Sequence, residues 1–414
     1  MTNSVSFRGC IFVDMALVRS TLSISMVAVL FASIALIVHN PLSMGTQDAF
    51  AASDTTKPSI KIKAPTSKQY LSPGTVKITG SASDNSGGSG LKLVEVRVDK
   101  SSYTTAKPSS SDDWSYWSVA LPITDTGKHT ITARATDKAG NQQWHDITIR
   151  TSKSDPFGVR MMYPSKSGAE QWFMNMADPT SDVRFNPQYS ISKNSDGSWK
   201  IKDTSVRMEV FTSSGYDRNK IKTTDQPSLA SKGYMQDSRD WRNVEMTGYI
   251  KVNSILSDDD LSWYARGGKH STSATCEATA YKSSIYFTGE NRWQKQLEFL
   301  PGSDGYVFGT VSQNSIGDIE DRWVGFKAVI YNTKVDGKQA VRLELYADTN
   351  NDKTTWTKIS TRYDVGTWSA ESEYCGGSSS QIVTWGGPIA TFRWDNSNNA
   401  DFKWLGIREI QPPN

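Results

Sequence analysis

From Ser59 onward the chain repeats one pattern. Short segments alternate apolar and polar side chains, and each is closed by Gly, Pro, Ser, Asp or Asn. A period of two puts the apolar set on one face of an extended strand and the polar set on the other. In the first stretch this predicts strands at Ser59–Ile62, Val76–Gly80, Leu93–Val98, Trp117–Leu121, His129–Ala133 and Ile147–Ile149. So many short strands with turn chemistry between them make a β-sandwich of about 100 residues. A second set follows at Val206–Phe211, Val244–Val252, Leu261–Arg266, Ser284–Phe287, Arg292–Phe299, Trp323–Asn332, Val341–Tyr346, Ile389–Trp394 and Phe402–Ile410. Asp336-Gly337 between two of these is a hairpin signal. No amphipathic helical stretch of useful length interrupts the set, so the expected fold class is all-β: a sandwich over 54–151, a short polar linker over 152–158, and a larger antiparallel jelly roll over 159–414.

The first 51 residues stand apart from this pattern. After Arg19 the stretch Leu22 to Val38 is apolar apart from three serines, and Ala49-Phe50-Ala51 follows it. A basic start, an apolar run and a small-residue site are the parts of a secretory signal peptide, and Met15 offers a second start; an uncleaved anchor is the other reading. Either route puts the remainder outside the cell or at its surface, with membrane contact only through this segment. Cysteine usage agrees. Once Cys10 is removed with the leader, Cys276 and Cys375 are the pair left, expected as one disulfide that stabilises by about 4 to 5 kcal/mol in the chain-entropy model.

Charge removes further function classes. Lys+Arg 46 against Asp+Glu 43 gives a formal charge of +3, which is no field for recruiting nucleic acid. His129, His145 and His270 follow the leader without CxxC or HxxxH spacing, so no metal centre of that kind is expected. A structural Ca²⁺ is the one cofactor the turns allow, at Asp84, Asn85, Asp137 and Asn141, at Asp258-Asp259-Asp260, or at Asp348, Asn350 and Asp352; ordinary turn chemistry explains the same residues.

Two resemblances add to this reading. ITGSASDNSG, VEVRVD, the pair Trp114 and Trp117, and GKHTITARATDKAGN resemble the bacterial immunoglobulin-like modules of secreted and cell-surface proteins, which implies a spacer or adhesion unit. WVGFKAVIYN, DGKQAVRLELYAD and FKWLGIREI resemble the laminin-G and concanavalin-like sandwiches, in which the concave sheet is the usual glycan groove. Sorting the later strands by face gives the polar residues of such a groove: Arg207 and Glu209; Arg292, Gln294, Gln296 and Glu298; Lys327 and Tyr331; Arg342, Glu344 and Tyr346. A solvated outer face would carry the same pattern.

RMEV at 207–210, QLE at 296–298 and FKAVIYN at 326–332 also resemble, in order, the three signature strands of family 7 polysaccharide lyases. The resemblance implies that Arg207 and Gln296 neutralise a uronate carboxylate, that Lys327 assists and that Tyr331 protonates the leaving oxygen. Glu298 stands where the family has histidine and Val329 where it has glycine. His270, in a segment that also holds Arg266, Lys269, Glu277 and Tyr281 after Gly267-Gly268, is the candidate for the missing base. With a carboxylate at 298 the groove is expected to bind neutral glycans better than polyuronates. The leading expectation is therefore a polysaccharide-binding protein whose partner is an extracellular or cell-envelope glycan; a uronate lyase and a non-catalytic structural adhesin are the alternatives.

Overall fold

The computed structural model describes residues 54–413 apart from 223–236, 272–273, 275, 298–304 and 371–377. The leader, Glu298 and Cys375 lie outside the described residues.

The strands form where the alternation predicts them, usually extended by a few residues at the ends. In the first sandwich a four-stranded sheet (Ser59–Ala64, Gly74–Ser83, Asp113–Ile123, Lys107–Ser110) faces a five-stranded one (Tyr70–Leu71, Gln142–Thr151, Gly127–Asp137, Leu91–Val98, Thr104–Thr105). Trp117 is wholly buried between them with Ile78, Val96, Ile131 and Ile149.

The second sandwich pairs two larger antiparallel sheets. The seven-stranded sheet runs in the order Phe185–Asn186, Ser205–Phe211, Ile389–Asp395, Asp260–Gly267, Ala280–Tyr286, Asn291–Gln296, Tyr306–Phe308, and is called here the Arg207 sheet. The eight-stranded sheet runs Ile191–Lys193, Trp199–Ile201, Ser397–Glu409, Val244–Ile255, Val324–Val335, Lys338–Asp348, Thr357–Asp364, with Gln171–Phe173 also on Ser397–Glu409; it is the Lys327 sheet. Val206, Met208, Phe392, Trp394, Trp263 and Trp293 from the first sheet meet Met246, Phe326, Ala328, Leu343, Phe402 and Ile407 from the second. Fully burying such side chains is worth about 1.5–3 kcal/mol each, which fixes the register of every strand that contributes one. At one edge Lys295 and Asp364 form an unexposed ion pair, 2.7 Å, that ties the sheets together.

Within the segment expected as a polar linker, 152–158, Asp155 is the one buried residue, and burial continues just beyond it. Asp155, Val159 and Met161 are buried, and Asp155 accepts the backbone N–H groups of Phe157 and Val159 at 2.9 Å each. The chain from 153 to 165 lies as a strap across the outer face of the Lys327 sheet. Met162 N–H donates to Glu245 at 3.0 Å and the Tyr163 hydroxyl to Glu344 at 2.6 Å.

Candidate functional site

The two sheets use their polar faces differently. On the Arg207 sheet, register aligns the outward residues in rows. Arg207 stands opposite Arg393, and Arg393 opposite Ser262; Glu209, Thr391, Tyr264, Lys282, Gln294 and Phe308 follow one another across six strands. Gln296 stands between Ala280 and Tyr306. This face is not solvated: Lys282 and Gln296 are unexposed, and Gln294, Thr391, Glu209 and Tyr264 are buried.

A buried polar face must be internally satisfied. Asp260 accepts from Ser262 at 2.5 Å and Gln294 at 3.0 Å, and Asn186 donates to Glu209 at 2.9 Å. Asp395 holds Arg393 at 2.5 Å and Arg207 at 3.5 Å. The Lys282 ammonium sits over the rings of Tyr264 and Tyr306, at 4.9 and 4.4 Å, and the Arg292 guanidinium lies 3.5 Å from the Phe308 ring centre. Such ring-and-cation pairs are each worth about 0.5 to 2 kcal/mol, more as they are desolvated.

His270 enters this face from the loop after the Asp260–Gly267 strand. Gly267 is required there, because a Cβ at that position would lie 2.1 Å from the Thr279 carbonyl oxygen. The His270 ring stands 6.1 Å from that of Tyr264. Burial, and then the nearby Lys282, Arg393 and Arg207, push its pKa down to about 2. A shift in that direction favours the neutral imidazole and lowers its basicity. Tyr264 has its pKa raised, chiefly by burial, against the pull of Arg393 and Arg207.

The Lys327 sheet spends its polar face on the strap. Lys327, wholly buried, pairs with Glu245 at 2.9 Å and donates to Thr247 at 2.7 Å; Arg408 reaches the same carboxylate at 2.6 Å. Glu344 accepts from Tyr163, from Tyr346 at 2.7 Å, from Arg342 at 2.6 Å and from Lys358 at 2.8 Å. Tyr331 packs its ring 5.5 Å from Tyr163. Lys327, Tyr331, Arg342, Glu344 and Tyr346, expected to line a groove, instead anchor the connection between the sandwiches. The three lyase-like strings divide accordingly, with Arg207 and Gln296 on one sheet and Lys327 and Tyr331 on the other. Arg207, Glu209, Arg292, Gln294, Gln296 and His270 do share a face.

Sequence reasoning missed Tyr264, Lys282, Arg393 and Tyr306. The alternation in LSWYARG and ATFRWD already carried Tyr264 and Arg393 on the polar side of their strands. The other expected residues have structural tasks. Arg266 donates to the carbonyls of Arg242 and Val383, Tyr281 to Asp364, and Glu277 accepts from Tyr216. Cys276 is buried, and its expected partner Cys375 is not among the described residues.

Among the turn carboxylates, Asp54, Asp84 and Asp137 bring oxygens within 4.8 Å of one another. Each also accepts backbone N–H groups, from Ser89, Gly90 and Asn141 respectively, and Asn141 further donates its side chain to Asp137. Asp348 takes Tyr249 and the N–H of Lys353, and Asp259 takes Asn396.

Residues 58–133, within the first sandwich, match the family model described as a bacterial Ig domain. No match to the curated proteins was found. Similar solved structures include the endo-β-1,4-mannanase from Thermotoga petrophila, at 12% identity and TM-score 0.20 over 25% of this chain and 21% of that one. Dimeric latent PorU from Porphyromonas gingivalis is similar at 11% identity and TM-score 0.22 over 77% of this chain and 21% of that one. A carbohydrate-binding module of the β-sandwich superfamily is similar at 6% identity and TM-score 0.21 over 86% of this chain and 98% of that one. The chain thus spans 21% of the mannanase and 21% of PorU.

Proposed function

We propose that the protein is exported, carries a Cys276–Cys375 bridge, and binds an extracellular polysaccharide on the outer face of the Arg207 sheet. The observation that carries this reading is the row of rings, amides and cations on that face. Arg207, Arg292, Arg393 and Tyr306 are half-buried on it and Phe308 is exposed against Arg292, while Tyr264, Lys282, Gln294 and Gln296 lie buried among them. Rings offer surface to the C–H face of a pyranose, and guanidinium groups fork onto acidic substituents. Among the described residues of this face Arg207, Lys282, Arg292 and Arg393 stand against Glu209, Asp260 and Asp395, and burial raises the pKa of Asp260 toward its neutral form. The cations are the ground for taking an acidic glycan as the occupant, in place of the neutral one expected from Glu298, which lies outside the described residues.

Retention of the full chain on alginate, glucuronan and a neutral glucan tests it. Arg207→Ala and Arg393→Ala should each weaken binding to the acidic polymers by about tenfold. Equal retention of both variants, or preference for the neutral polymer, sinks the assignment.

A second reading, β-elimination, is favoured by the closeness of His270 and Tyr264 within the field of Arg207 and Arg393. In it the proton α to the uronate carboxylate is abstracted, the electron pair forms the new C=C bond, and the glycosidic C–O bond breaks as its oxygen takes a proton. The depressed basicity of His270 places this reading second. Growth of the unsaturated product's ultraviolet absorbance, abolished in Tyr264→Phe, would promote it.

A further inference from the structure

The two sandwiches meet in a built cleft. On the Ig side, Gln69 is buried; its amide nitrogen donates to the carbonyls of Lys166 and Ala169 at 3.0 and 3.2 Å, and its oxygen accepts from Gly168 N–H at 2.9 Å. From the other side Gln171 exchanges a pair of hydrogen bonds with the backbone of Tyr70, accepting at 3.1 Å and donating at 2.6 Å. Tyr70 and Phe173 meet edge to face at 6.1 Å. Both amides are spent on holding the walls, so the space between the walls is held open rather than left by loose packing.

That space is about 390 Å³, the size of a small ligand site, and both sandwiches line it. Lys68 and Tyr70 come from one, Phe173, Arg184 and Arg239 from the other, and Glu170 is the one acid among the lining residues. Glu170 is occupied by Arg184 at 2.9 Å and by Ser213. Arg239 rests on Ser213 at 3.0 Å and lies 3.5 Å from Asp237, a pair exposed enough to be exchanged for a ligand carboxylate, with the Arg239 side chain 55% exposed; Lys68 is exposed at the opposite wall. The cleft therefore offers two rings and hydroxyls between its walls, and two cations at its mouth.

We propose that this cleft is a second saccharide site, built jointly by the Ig domain and the second sandwich, and that it takes a carboxylate-bearing sugar unit between Lys68 and Arg239. The Ig domain is then part of the binding surface and not a spacer. The inference rests on the glycan-binding reading above, and its test separates the two.

Lysine acetylation of the full chain, read by mass spectrometry, is followed with added oligoglucuronate and with a neutral gluco-oligosaccharide of equal length. The acidic oligomer should slow labelling of Lys68 about fivefold, equivalent to occupancy of about 80% at one site, and the neutral oligomer should leave it unchanged. Arg239→Ala should remove the protection, and Arg207→Ala should keep it while weakening retention on glucuronan about tenfold. Unprotected Lys68, equal protection by the neutral oligomer, or protection that disappears in Arg207→Ala overturns the cleft site. Failure of retention in the wild-type chain is instead the failure of the sheet site.

Discussion

Lys327 and Lys282 occupy matching places, each unexposed on the outer face of its sheet, and their neighbours give them opposite tasks. Lys327 pairs with Glu245, so Lys327→Met leaves two buried acids, Glu245 and Asp155, with Arg408 alone among them. Removing one partner of a buried pair costs about 3–5 kcal/mol. The urea midpoint of Lys327→Met should fall accordingly, while the folded variant keeps wild-type retention on acidic glycan. Lost retention at full stability would return Lys327 to the site. Glu409 sets a pH dependence. Burial raises its pKa to about 7 against the pull of the N–H groups of Arg242 and Asn243. The folded state then binds more protons than the unfolded state between the unfolded value of 4.5 and about 7. Its contribution is complete below 4.5 and lost as pH rises through 7, by about 3 kcal/mol at the outside. Glu409→Gln keeps an oxygen for the same N–H groups and should gain stability over wild type at about pH 8 but not at about pH 4. A constant difference across that range would disprove the raised pKa.

At the scale of elements, what was legible in the sequence is what local chemistry decides. Asp336 and Gly337 have φ of 50° and 77°, the left-handed pair that a two-residue hairpin needs, and the Val324–Val335 and Lys338–Asp348 strands pair from that turn outward. Alternation likewise separated Arg207 and Glu209 from Val206, Met208 and Val210. On the Lys327 sheet it was silent on what lies over the polar face, because the cover comes from far along the chain: Met162 and Tyr163 for Glu245 and Glu344. A strand with its polar face under a strap reads like one facing water. The stretch just after the linker hid its task in the same way, since VRMMYP follows turn residues like the rest of a connector and carries apolar side chains that the Lys327 sheet buries. Tyr163→Phe removes one donor to the buried Glu344 and leaves Tyr346, Arg342 and Lys358 in place. The expected cost is about 1–2 kcal/mol, visible as a shifted denaturation midpoint with glycan retention unchanged. A neutral substitution would mean that the strap is not held by this contact.

For the whole molecule, the two blocks have separate cores, and from sequence they are expected to fold and act independently. The contacts between them argue otherwise. Ser167 donates to the Lys77 carbonyl at 2.8 Å, Gln69 and Gln171 close the reciprocal bonds described above, and the strap continues directly from the last strand of the first sandwich. Gly168 is a close approach: its φ is +76°, and a Cβ there would lie 2.3 Å from that of Ala64. Only glycine meets both conditions without a shift. The full chain should therefore unfold in one calorimetric transition, with a domain excised at residue 152 less stable than the same domain in place. Gly168→Val should separate the blocks without touching either core, splitting the transition in two and lowering the first midpoint by several degrees, as expected for about 1–3 kcal/mol in a domain of about 100 residues. Gln69→Ala, which removes the buried amide and adds no bulk, should act in the same direction by about 2 kcal/mol. If both variants melt as the wild type does, the interface contributes nothing to stability and the two sandwiches are independent bodies. If both split the transition, the Gln69 loop and the close approach at Gly168 are what couple the two sandwiches.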